Sequence, residues 1–276
     1  MNMIRKAAID IGGSWLRWSV PEAGTGRIPS GNLRLLDFLE GFIKKYEITF
    51  LGISFAGQVN DGRIVSAPNI RIDPIDIRKY FQQNFGVDLR IENDLNCAAL
   101  AEAEDWQSDD LIALYSGTGL GAGIIEGGRL CRGSRGMAGE IGHVPYREAP
   151  FVCGCGKRNC LELYASGGGL EKWRAYLGCG AVRLDEMLHA SAEACRTVAE
   201  SYLQALLHAS GTLITLCNPE ILVLGGGVIS STPEIEKRVR GAIASYALPA
   251  ALDGVRIELS RLENASLRGA EILVGI

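Results

Sequence analysis

The sequence KAAIDIGGSWLRWSV, from Lys6 to Val20, places two glycines and a serine between two apolar segments. Short apolar runs that are bounded by turn residues are typical of β-strands. We therefore predict a strand over Lys6–Ile11, a tip at Gly12-Gly13-Ser14 and a second strand from Trp15 to Val20. Together these elements form a hairpin with a glycine tip.

A similar pattern returns in the middle of the chain. The apolar run Leu111–Tyr115 is followed by Gly117-Thr118-Gly119, then by GAGII from Gly121 to Ile125, and then by the turn Glu126-Gly127-Gly128. Glycine clusters of this kind mark turns between extended segments. The repeat indicates an internal duplication, with two related lobes that face each other across a cleft and each contribute one glycine-tipped hairpin.

The elements between and after the hairpins alternate between strand and helix patterns, which is typical of an α/β fold. The predicted strands are Phe50–Phe55, Leu89–Glu92 and Ile221–Leu224, and the predicted helices are 94–104, 191–216 and 265–274. We expect the C-terminal helix to pack against the first lobe. The sequence then divides into a small lobe, residues 1–109 plus 263–276, and a large lobe, residues 110–262.

Composition excludes several classes of protein. The 276 residues are 47% hydrophobic and 22% charged, with a net charge of −4, which predicts a folded core and no basic surface for nucleic acid. The N-terminus lacks the apolar stretch of a secretion signal, and no apolar run reaches the roughly 18 residues of a membrane span. We expect a cytoplasmic protein whose eight cysteines are thiols or metal ligands rather than disulfides.

The glycine turns after strands suggest phosphate binding, because backbone N–H groups can approach an anion closely where no Cβ intervenes. The alternative is that each Gly-Gly pair only makes a tight turn. The sequence contains no Walker A string, which excludes the P-loop class, and the segment Gly117–Gly121 leads into a strand rather than the helix of a dinucleotide site. A third glycine turn, Gly225-Gly226-Gly227, follows the strand Ile221–Leu224.

One imidazole and three thiols have the spacing H-x9-C-x-C-x4-C, formed by His143, Cys153, Cys155 and Cys160. These four donors complete a tetrahedral set for structural Zn²⁺, without an open position for a water. Chance clustering of buried thiols is the alternative. The other five cysteines, Cys97, Cys131, Cys179, Cys195 and Cys217, are scattered, and we interpret them as core residues.

Carboxylates and amides that could bind sugar hydroxyls lie near the glycine turns: Asn69, Asn93, Asp94, Glu140, His143 and Glu162. Asp94 follows a predicted strand and opens a helix, so it could be simply a helix N-cap. The same position could also aim the carboxylate into the gap between the lobes, where it would accept the proton of an attacking hydroxyl.

These motifs resemble the ROK group of sugar kinases and repressors, which belong to the actin-like ATPase superfamily with its ribonuclease H-like fold. The resemblance covers nearly the whole chain. The matching segments are Asp10-Ile11-Gly12-Gly13-Ser14, Glu92-Asn93-Asp94, Gly117-Thr118-Gly119-Leu120-Gly121, Gly139-Glu140-Ile141-Gly142-His143, Cys153-Gly154-Cys155-Gly156, Cys160-Leu161-Glu162 and Leu224-Gly225-Gly226-Gly227.

The resemblance implies a role for each motif. Asp94 would be the catalytic base, while Asn69, Asn93, Glu140, His143 and Glu162 would hold the sugar and His143 would also ligate zinc. Asp10 would lie near the magnesium of MgATP. Ser14 and Thr118 would lie near the phosphates, within the glycine turns Gly12-Gly13, Gly117–Gly119 and Gly225–Gly227.

The resemblance also implies an activity: transfer of a phosphoryl group from ATP to a hexose or N-acetylhexosamine, at the 6-hydroxyl. Polyphosphate remains an alternative donor, and family habit suggests a homodimer. Repressors of the family carry a DNA-binding domain before the kinase-like body, whereas the first strand here begins by residue 6, so we expect no DNA reading. A sugar sensor without catalysis is the alternative function.

Overall fold

The computed structural model describes residues 4–21, 23–31, 33–66 and 76–276. The chain forms two compact units. The first contains the N-terminal part up to Asp105, Leu130–Ala138 and Leu262–Ile276, and the second contains Trp106–Arg129 and Gly139–Arg261. The segment Leu130–Ala138 packs with the first unit, although the sequence division assigns it to the larger lobe.

Strands and helices alternate along the chain. Its first part contains β1 (Lys6–Ile11), β2 (Trp15–Val20), β3 (Gly24–Pro29), α1 (Leu35–Tyr46), β4 (Phe50–Phe55), β5 (Gln58–Asn60), β6 (Arg63–Ser66), α2 (Ile77–Phe85), β7 (Asp88–Asn93) and α3 (Asp94–Trp106). The rest contains β8 (Leu111–Ser116), β9 (Leu120–Glu126), β10 (Arg129–Leu130), α4 (Glu162–Ala165), α5 (Gly167–Leu177), α6 (Leu184–Leu188), α7 (Glu193–Cys217), β11 (Ile221–Gly225), α8 (Gly227–Ser230), α9 (Ile235–Ala242), α10 (Pro249–Leu252), β12 (Arg256–Leu259) and α11 (Ala265–Val274).

The two units contain five-stranded sheets of the same topology. The strand order is β3-β2-β1-β4-β7 in one sheet and β10-β9-β8-β11-β12 in the other. In each, the first strand of the hairpin pairs antiparallel with the second and parallel with the next strand of the sheet. The internal duplication predicted from the two glycine-tipped hairpins is therefore confirmed.

The core of the first unit lies between its sheet and its helices. Ile9, Leu39 and Phe81 are fully buried there. The C-terminal helix α11 packs closely on β4. A Cβ built at Gly52 would lie only 2.1 Å from the carbonyl oxygen of Ala270. This contact requires a residue without a side chain and brings the chain end onto the first sheet.

The core of the second unit is organised around the long helix α7. Its buried Tyr202 donates a hydrogen bond of 2.7 Å to the Ser116 hydroxyl, which in turn donates to the carbonyl of Ala165 at 2.8 Å. Burial raises the pKa of Tyr202, so the phenol stays a donor. This relay fixes the end of β8, where the second glycine turn begins. Among the residues with assigned coordinates, no helix is both long and apolar enough to cross a membrane.

The expectation about the remaining cysteines is wrong in two respects. Cys179 and Cys195 form a disulfide that closes a loop with a sequence separation of 16 residues. Cys217 is exposed and Cys131 only half-buried, whereas Cys97 is the free thiol of this group that lies in the core. Sequence spacing did not indicate the pairing, because Cys179 lies in the loop after α5, Cys195 lies in α7, and the two share no metal-like pattern.

Candidate active site

The catalytic segment predicted from the sequence lies where β7 meets α3. The Asn93 side-chain oxygen accepts hydrogen bonds from the backbone N–H groups of Leu95, at 2.9 Å, and Asn96, at 3.1 Å. Side-chain oxygens that satisfy the first free N–H groups of a helix are its caps. Asn93, rather than Asp94, therefore caps α3, and the alternative of Asp94 as the N-cap is not needed.

Asp94 is half-buried at the start of α3. Its Oδ1 accepts hydrogen bonds from the Leu95 N–H and the Asn93 amide, both at 3.0 Å. Burial, and then the negative charge of Asp10, raise the pKa of Asp94 to about 7. A carboxyl group with a pKa near neutrality can exchange a proton with a hydroxyl at physiological pH, as a general base must.

Asp10 lies at the end of β1, 6% exposed, and is paired across the sheet with residues of both neighbouring strands. Its Oδ1 accepts a hydrogen bond of 2.8 Å from Ser54, and its Oδ2 accepts one of 3.2 Å from Arg17. Burial raises the pKa of Asp10, and the contacts with Ser54 and Arg17 partly offset that rise. The first unit therefore holds two carboxyl groups, on β1 and α3, that influence each other electrostatically.

The first glycine tip closes directly after Asp10. The Gly12 N–H donates to the Trp15 carbonyl at 3.0 Å, and Gly13 and Ser14 are exposed at the tip. Their backbone and hydroxyl groups are therefore accessible to a ligand. The predicted phosphate residues of this turn lie at the same end of the sheet as Asp10.

Two of the predicted glycine turns meet in the second unit. Gly226 has a φ of 90°, and a Cβ there would lie 2.4 Å from the carbonyl oxygen of Ser116. A residue with a side chain would be strained in this conformation and would clash with the end of β8. The turn Gly225–Gly227 is thus held against the strand that leads into Gly117–Gly119.

The segment Gly167–Gly169, which was not predicted from the sequence, lies against the turn Gly117–Gly119. The N–H groups of Gly167 and Gly168 donate to the carbonyls of Gly117 and Thr118, at 2.8 and 3.1 Å. Ser166 caps α5 by accepting from the Gly169 N–H at 3.0 Å. The signal was present as the string SGGG directly after Glu162-Leu163-Tyr164-Ala165, where a serine cap precedes a helix.

A cavity of about 260 Å³ opens beside these glycine segments. Its lining combines glycines, aliphatic side chains and arginines: Gly167, Leu170, Glu171, Arg174, Val182, Arg183, Leu184, Gly227, Val228 and Ser231. Ligand pockets usually combine apolar walls with a few polar groups. The wall that contains Val182, Arg183 and Leu184 belongs to the loop that the Cys179–Cys195 disulfide closes.

The predicted metal ligands form a cluster in the second unit. One donor atom from each of His143, Cys153, Cys155 and Cys160 lies within 4.8 Å of all the others. The Cys155 and Cys160 sulfurs are 3.3 Å apart, and the Cys153 sulfur is 3.6 Å from the His143 Nδ1. Tetrahedral zinc with bonds of about 2.3 Å places its ligands about 3.8 Å apart, so the four donors fit this ion.

The His143 ring connects the metal cluster with two carboxylates. Its Nδ1 faces the thiol of Cys153, and its Nε2 lies 3.7 Å from a Glu140 oxygen. Glu162 accepts from the Leu120 N–H at 3.2 Å and lies beside Cys153. A carboxylate beside the second ring nitrogen of a metal-bound histidine orients the ring. Glu140, His143 and Glu162 therefore surround one cluster.

The predicted site residues thus fall into two groups. Asp10, Gly12-Gly13-Ser14, Asn93 and Asp94 lie in the first unit, and the predicted metal ligands, Glu140, Glu162 and the remaining glycine turns lie in the second. Asn69 lies outside the described residues.

Comparison with known proteins identifies the family and the fold of the chain. The family model described as "ROK family" matches residues 32–275. The chain is 30% identical over 262 residues to an N-acetyl-D-glucosamine kinase of Mannheimia succiniciproducens, which covers 86% of either chain. It is similar to the solved structure of a ROK hexokinase from Thermus thermophilus, with 26% identity, a TM-score of 0.83 and coverage of 99% of this chain and 98% of that one.

A second solved structure is a ROK family glucokinase from Streptomyces griseus in complex with glucose and AMPPNP, with 25% identity, a TM-score of 0.78 and coverage of 98% of this chain and 99% of that one. The α/β fold predicted from the sequence, the actin-like ATPase fold with two duplicated halves, is therefore confirmed. Since the family model spans most of its length, the chain belongs to the ROK family.

Proposed function

We propose that this chain is an ATP-dependent sugar kinase that transfers the γ-phosphoryl group of ATP to a hydroxyl of a hexose or N-acetylhexosamine, at the 6-hydroxyl. The observation that carries the proposal is the carboxyl group of Asp94, half-buried at the strand–helix junction, with a pKa of about 7. The relatives named as kinases of N-acetyl-D-glucosamine and glucose support the same reaction.

Asp94 acts as the base. Its Oδ1 accepts hydrogen bonds from the Leu95 N–H and the Asn93 amide, and an ionised carboxylate has further lone pairs that can accept the proton of the sugar hydroxyl. Because the transition state of phosphoryl transfer is loose, the protein contributes mainly by positioning and by electrostatic stabilisation. Asn93 holds the sugar beside Asp94, and Asn69 has the same role.

The second unit supplies the other sugar contacts. Glu140 and Glu162 accept hydrogen bonds from sugar hydroxyls, and the His143 ring N–H donates one. The positions of these side chains depend on the metal cluster, since His143 belongs to both sets. His143, Cys153, Cys155 and Cys160 would hold Zn²⁺, which would stabilise this loop without acting on the substrate. Removing any ligand therefore weakens sugar binding through the geometry of the loop.

MgATP would supply the phosphoryl group, and the glycine turns Gly12-Gly13, Gly117–Gly119 and Gly225–Gly227 are the candidates for binding its phosphates. Asp10 would hold the magnesium ion, which would offset charge on the phosphates, and Ser14 and Thr118 would bind phosphate oxygens. The cavity beside Gly167 and Gly227 holds the adenosine, because its aliphatic residues suit a purine ring and its arginines suit the adjacent charge. The protein acts in the cytoplasm as a homodimer.

A panel of sugars monitored by ADP release tests the proposal. Hexoses and N-acetylhexosamines are offered with ATP or polyphosphate, and a 6-deoxy analogue of each active sugar serves as the control. We expect ADP release with one or a few sugars and none with their 6-deoxy analogues. Binding of sugars without any turnover would favour a non-catalytic sensor instead.

A further inference from the structure

The residue directly before the catalytic pair, Glu92, is a buried carboxylate with three hydrogen-bond donors. It is 6% exposed. Its Oε1 accepts from the Asn93 N–H at 3.0 Å and from the Asn96 side-chain amide at 2.9 Å, while its Oε2 accepts from the Arg132 guanidinium at 2.5 Å. A buried carboxylate needs such compensation, because an unpaired charge in the interior is costly.

Arg132 reaches Glu92 from the segment Leu130–Ala138, which packs with the first unit. The segment is a closed loop, since the Ala138 N–H donates to the Arg132 carbonyl at 3.1 Å. It is also anchored to β5: Gly136 has a φ of 74°, and a Cβ there would lie 2.3 Å from the Val59 carbonyl oxygen. The guanidinium is therefore held from a fixed backbone.

We propose that Arg132 is a positioning residue for the catalytic base, acting through Glu92 on Asn93 and Asp94. This role rests on the proposed kinase function. Arg132 fixes one oxygen of Glu92, so that the other remains between the Asn93 N–H and the Asn96 amide. The first donor belongs to the residue that caps α3, and the second lies in the first turn of that helix.

The position of Asn93 in turn determines that of Asp94. The Asn93 amide donates to the Asp94 Oδ1 at 3.0 Å and to the Gly57 carbonyl at 3.0 Å, and its oxygen caps the helix. Without Arg132, Glu92 becomes a buried charge with no cation beside it, and turns towards water or takes up a proton. Either change releases Asn93, and small displacements of a reacting group lower rates by up to about 10²-fold.

A purely structural ion pair would produce a different result. The guanidinium side of the pair is 52% exposed, so its loss is expected to leave the fold intact. A structural role predicts a lower melting temperature with normal turnover in the folded enzyme. A positioning role predicts a lower kcat with little change in KM, because ground-state binding is retained while the reacting groups are misaligned.

The experiment compares the full-length wild type with Arg132→Gln, Arg132→Lys, Glu92→Gln and the double variant Glu92→Gln/Arg132→Gln. The control is Arg135→Gln, which removes the same charge from an exposed position of the same segment. Steady-state kcat and KM are measured for the sugar and for ATP, and circular dichroism verifies folding.

We expect Arg132→Gln to lower kcat by about 10- to 100-fold, with KM for both substrates within about threefold. Arg132→Lys should restore part of kcat by returning a cation, the double variant should be no slower than the slower single variant, and Arg135→Gln should match the wild type.

Full kcat in folded Arg132→Gln, a change confined to KM, or a double variant whose loss equals the product of both single losses would overturn the positioning role. A wild-type chain without turnover on any sugar would remove the proposed function as well, so the two failures are distinguishable.

Discussion

The two sheets have the same strand order but differ in one layer of side chains. In the first sheet, Asp10 of β1 is paired with Arg17 of β2 and Ser54 of β4, and the buried Asp10 and Ser54 and the half-buried Arg17 form a hydrogen-bonded group. This layer lies one residue before the end of the pairing between β1 and β4, which finishes at Ile11 and Phe55.

The corresponding layer of the second sheet is apolar. Leu114 of β8 is paired with Ala122 of β9 and Leu224 of β11, one residue before the pairing of β8 and β11 finishes at Tyr115 and Gly225. Leu114, Ala122 and Leu224 are all buried. The fold itself therefore needs only aliphatic packing at this level.

The difference separates what the fold requires from what the chemistry requires. A buried carboxylate destabilises a protein unless it is fully paired, and the pKa values of Asp10 and Asp94 remain raised despite their partners. A stable sheet could be built without them, as the second sheet is. We infer that the charged layer persists in the first unit because phosphoryl transfer needs it.

The largest effect is expected at Asp94. Replacing the base, Asp94→Asn, should lower kcat by about 10³-fold or more, which corresponds to roughly 4 kcal/mol, while sugar binding persists. Turnover is measured by ADP release and binding by calorimetry. Residual turnover within tenfold of the wild type would show that Asp94 is not the base.

The same variant should be more stable than the wild type at pH 7. The folded-state pKa of Asp94, about 7, lies above its value of 3.8 in an unfolded chain. Because this pKa is raised on folding, the contribution of Asp94 to the free energy of unfolding is complete below about pH 4 and is lost as the pH rises to about 7. The neutral amide of the variant avoids this loss. Its free energy of unfolding at pH 7 should therefore exceed that of the wild type by about 1–3 kcal/mol. Thermal melting at pH 5 and pH 8 measures the difference, which should be larger at pH 8.

The second unit should respond most strongly to loss of a zinc ligand. Cys160→Ser removes a buried thiolate from the four-ligand cluster, and loss of a structural metal is among the few single changes that cost about 4 kcal/mol or more. Elemental analysis and thermal melting measure metal content and stability. The exposed thiol variant Cys217→Ser, in the same unit, is the control. Unchanged stability in Cys160→Ser, or wild type purified without chelators that contains no zinc, would contradict the assignment.

The Cys179–Cys195 disulfide should contribute somewhat less to the stability of the second unit than the four-ligand cluster does. Closing a loop of about this length is expected to stabilise a protein by roughly 3 kcal/mol, through restriction of the unfolded chain. The variant Cys179→Ala/Cys195→Ala should therefore melt at a lower temperature, and its KM for ATP should rise because Val182, Arg183 and Leu184 line the cavity. Wild type treated with a reductant should match the variant, and reductant should not change the variant further. Equal melting temperatures with and without reductant would count against the disulfide.

The sequence predicted features that repeat or that follow a fixed spacing. The hairpin pattern around Gly13 and Gly117 predicted the duplicated sheets, and the strand Phe50–Phe55 and the helix Ala265–Val274 have the bounds that the pattern predicted. The four predicted metal ligands also lie together, since a cluster of donors within a short stretch of chain needs little tertiary information.

Features that depend on side chains from distant parts of the chain were not predicted. The Cys179–Cys195 disulfide and the pair of Glu92 with Arg132, 40 residues away, leave no periodic signal. The disulfide also contradicts the assumption that all cysteines are reduced. A single sequence shows which groups can form an ion pair, but only the packing of the segment 130–138 against β5 and the end of β7 determines which pair forms.

The smallest predicted effect sharpens the comparison between the charged and the apolar layer. The kcat/KM for the sugar should fall about tenfold per pH unit below about pH 7, because only ionised Asp94 can accept the hydroxyl proton.

Burial is the main cause of the raised pKa of Asp94, and the charge of Asp10 is the second. Asp10→Asn removes that charge, so the midpoint of the profile should move to lower pH while the slope remains. Since Asp10→Asn also slows turnover, carbon-13 spectra of labelled aspartate in the unliganded variant provide an independent titration of Asp94. An unchanged midpoint in both measurements would mean that the charged layer does not act on the base, and the contrast between the two sheets would then concern binding of the nucleotide alone.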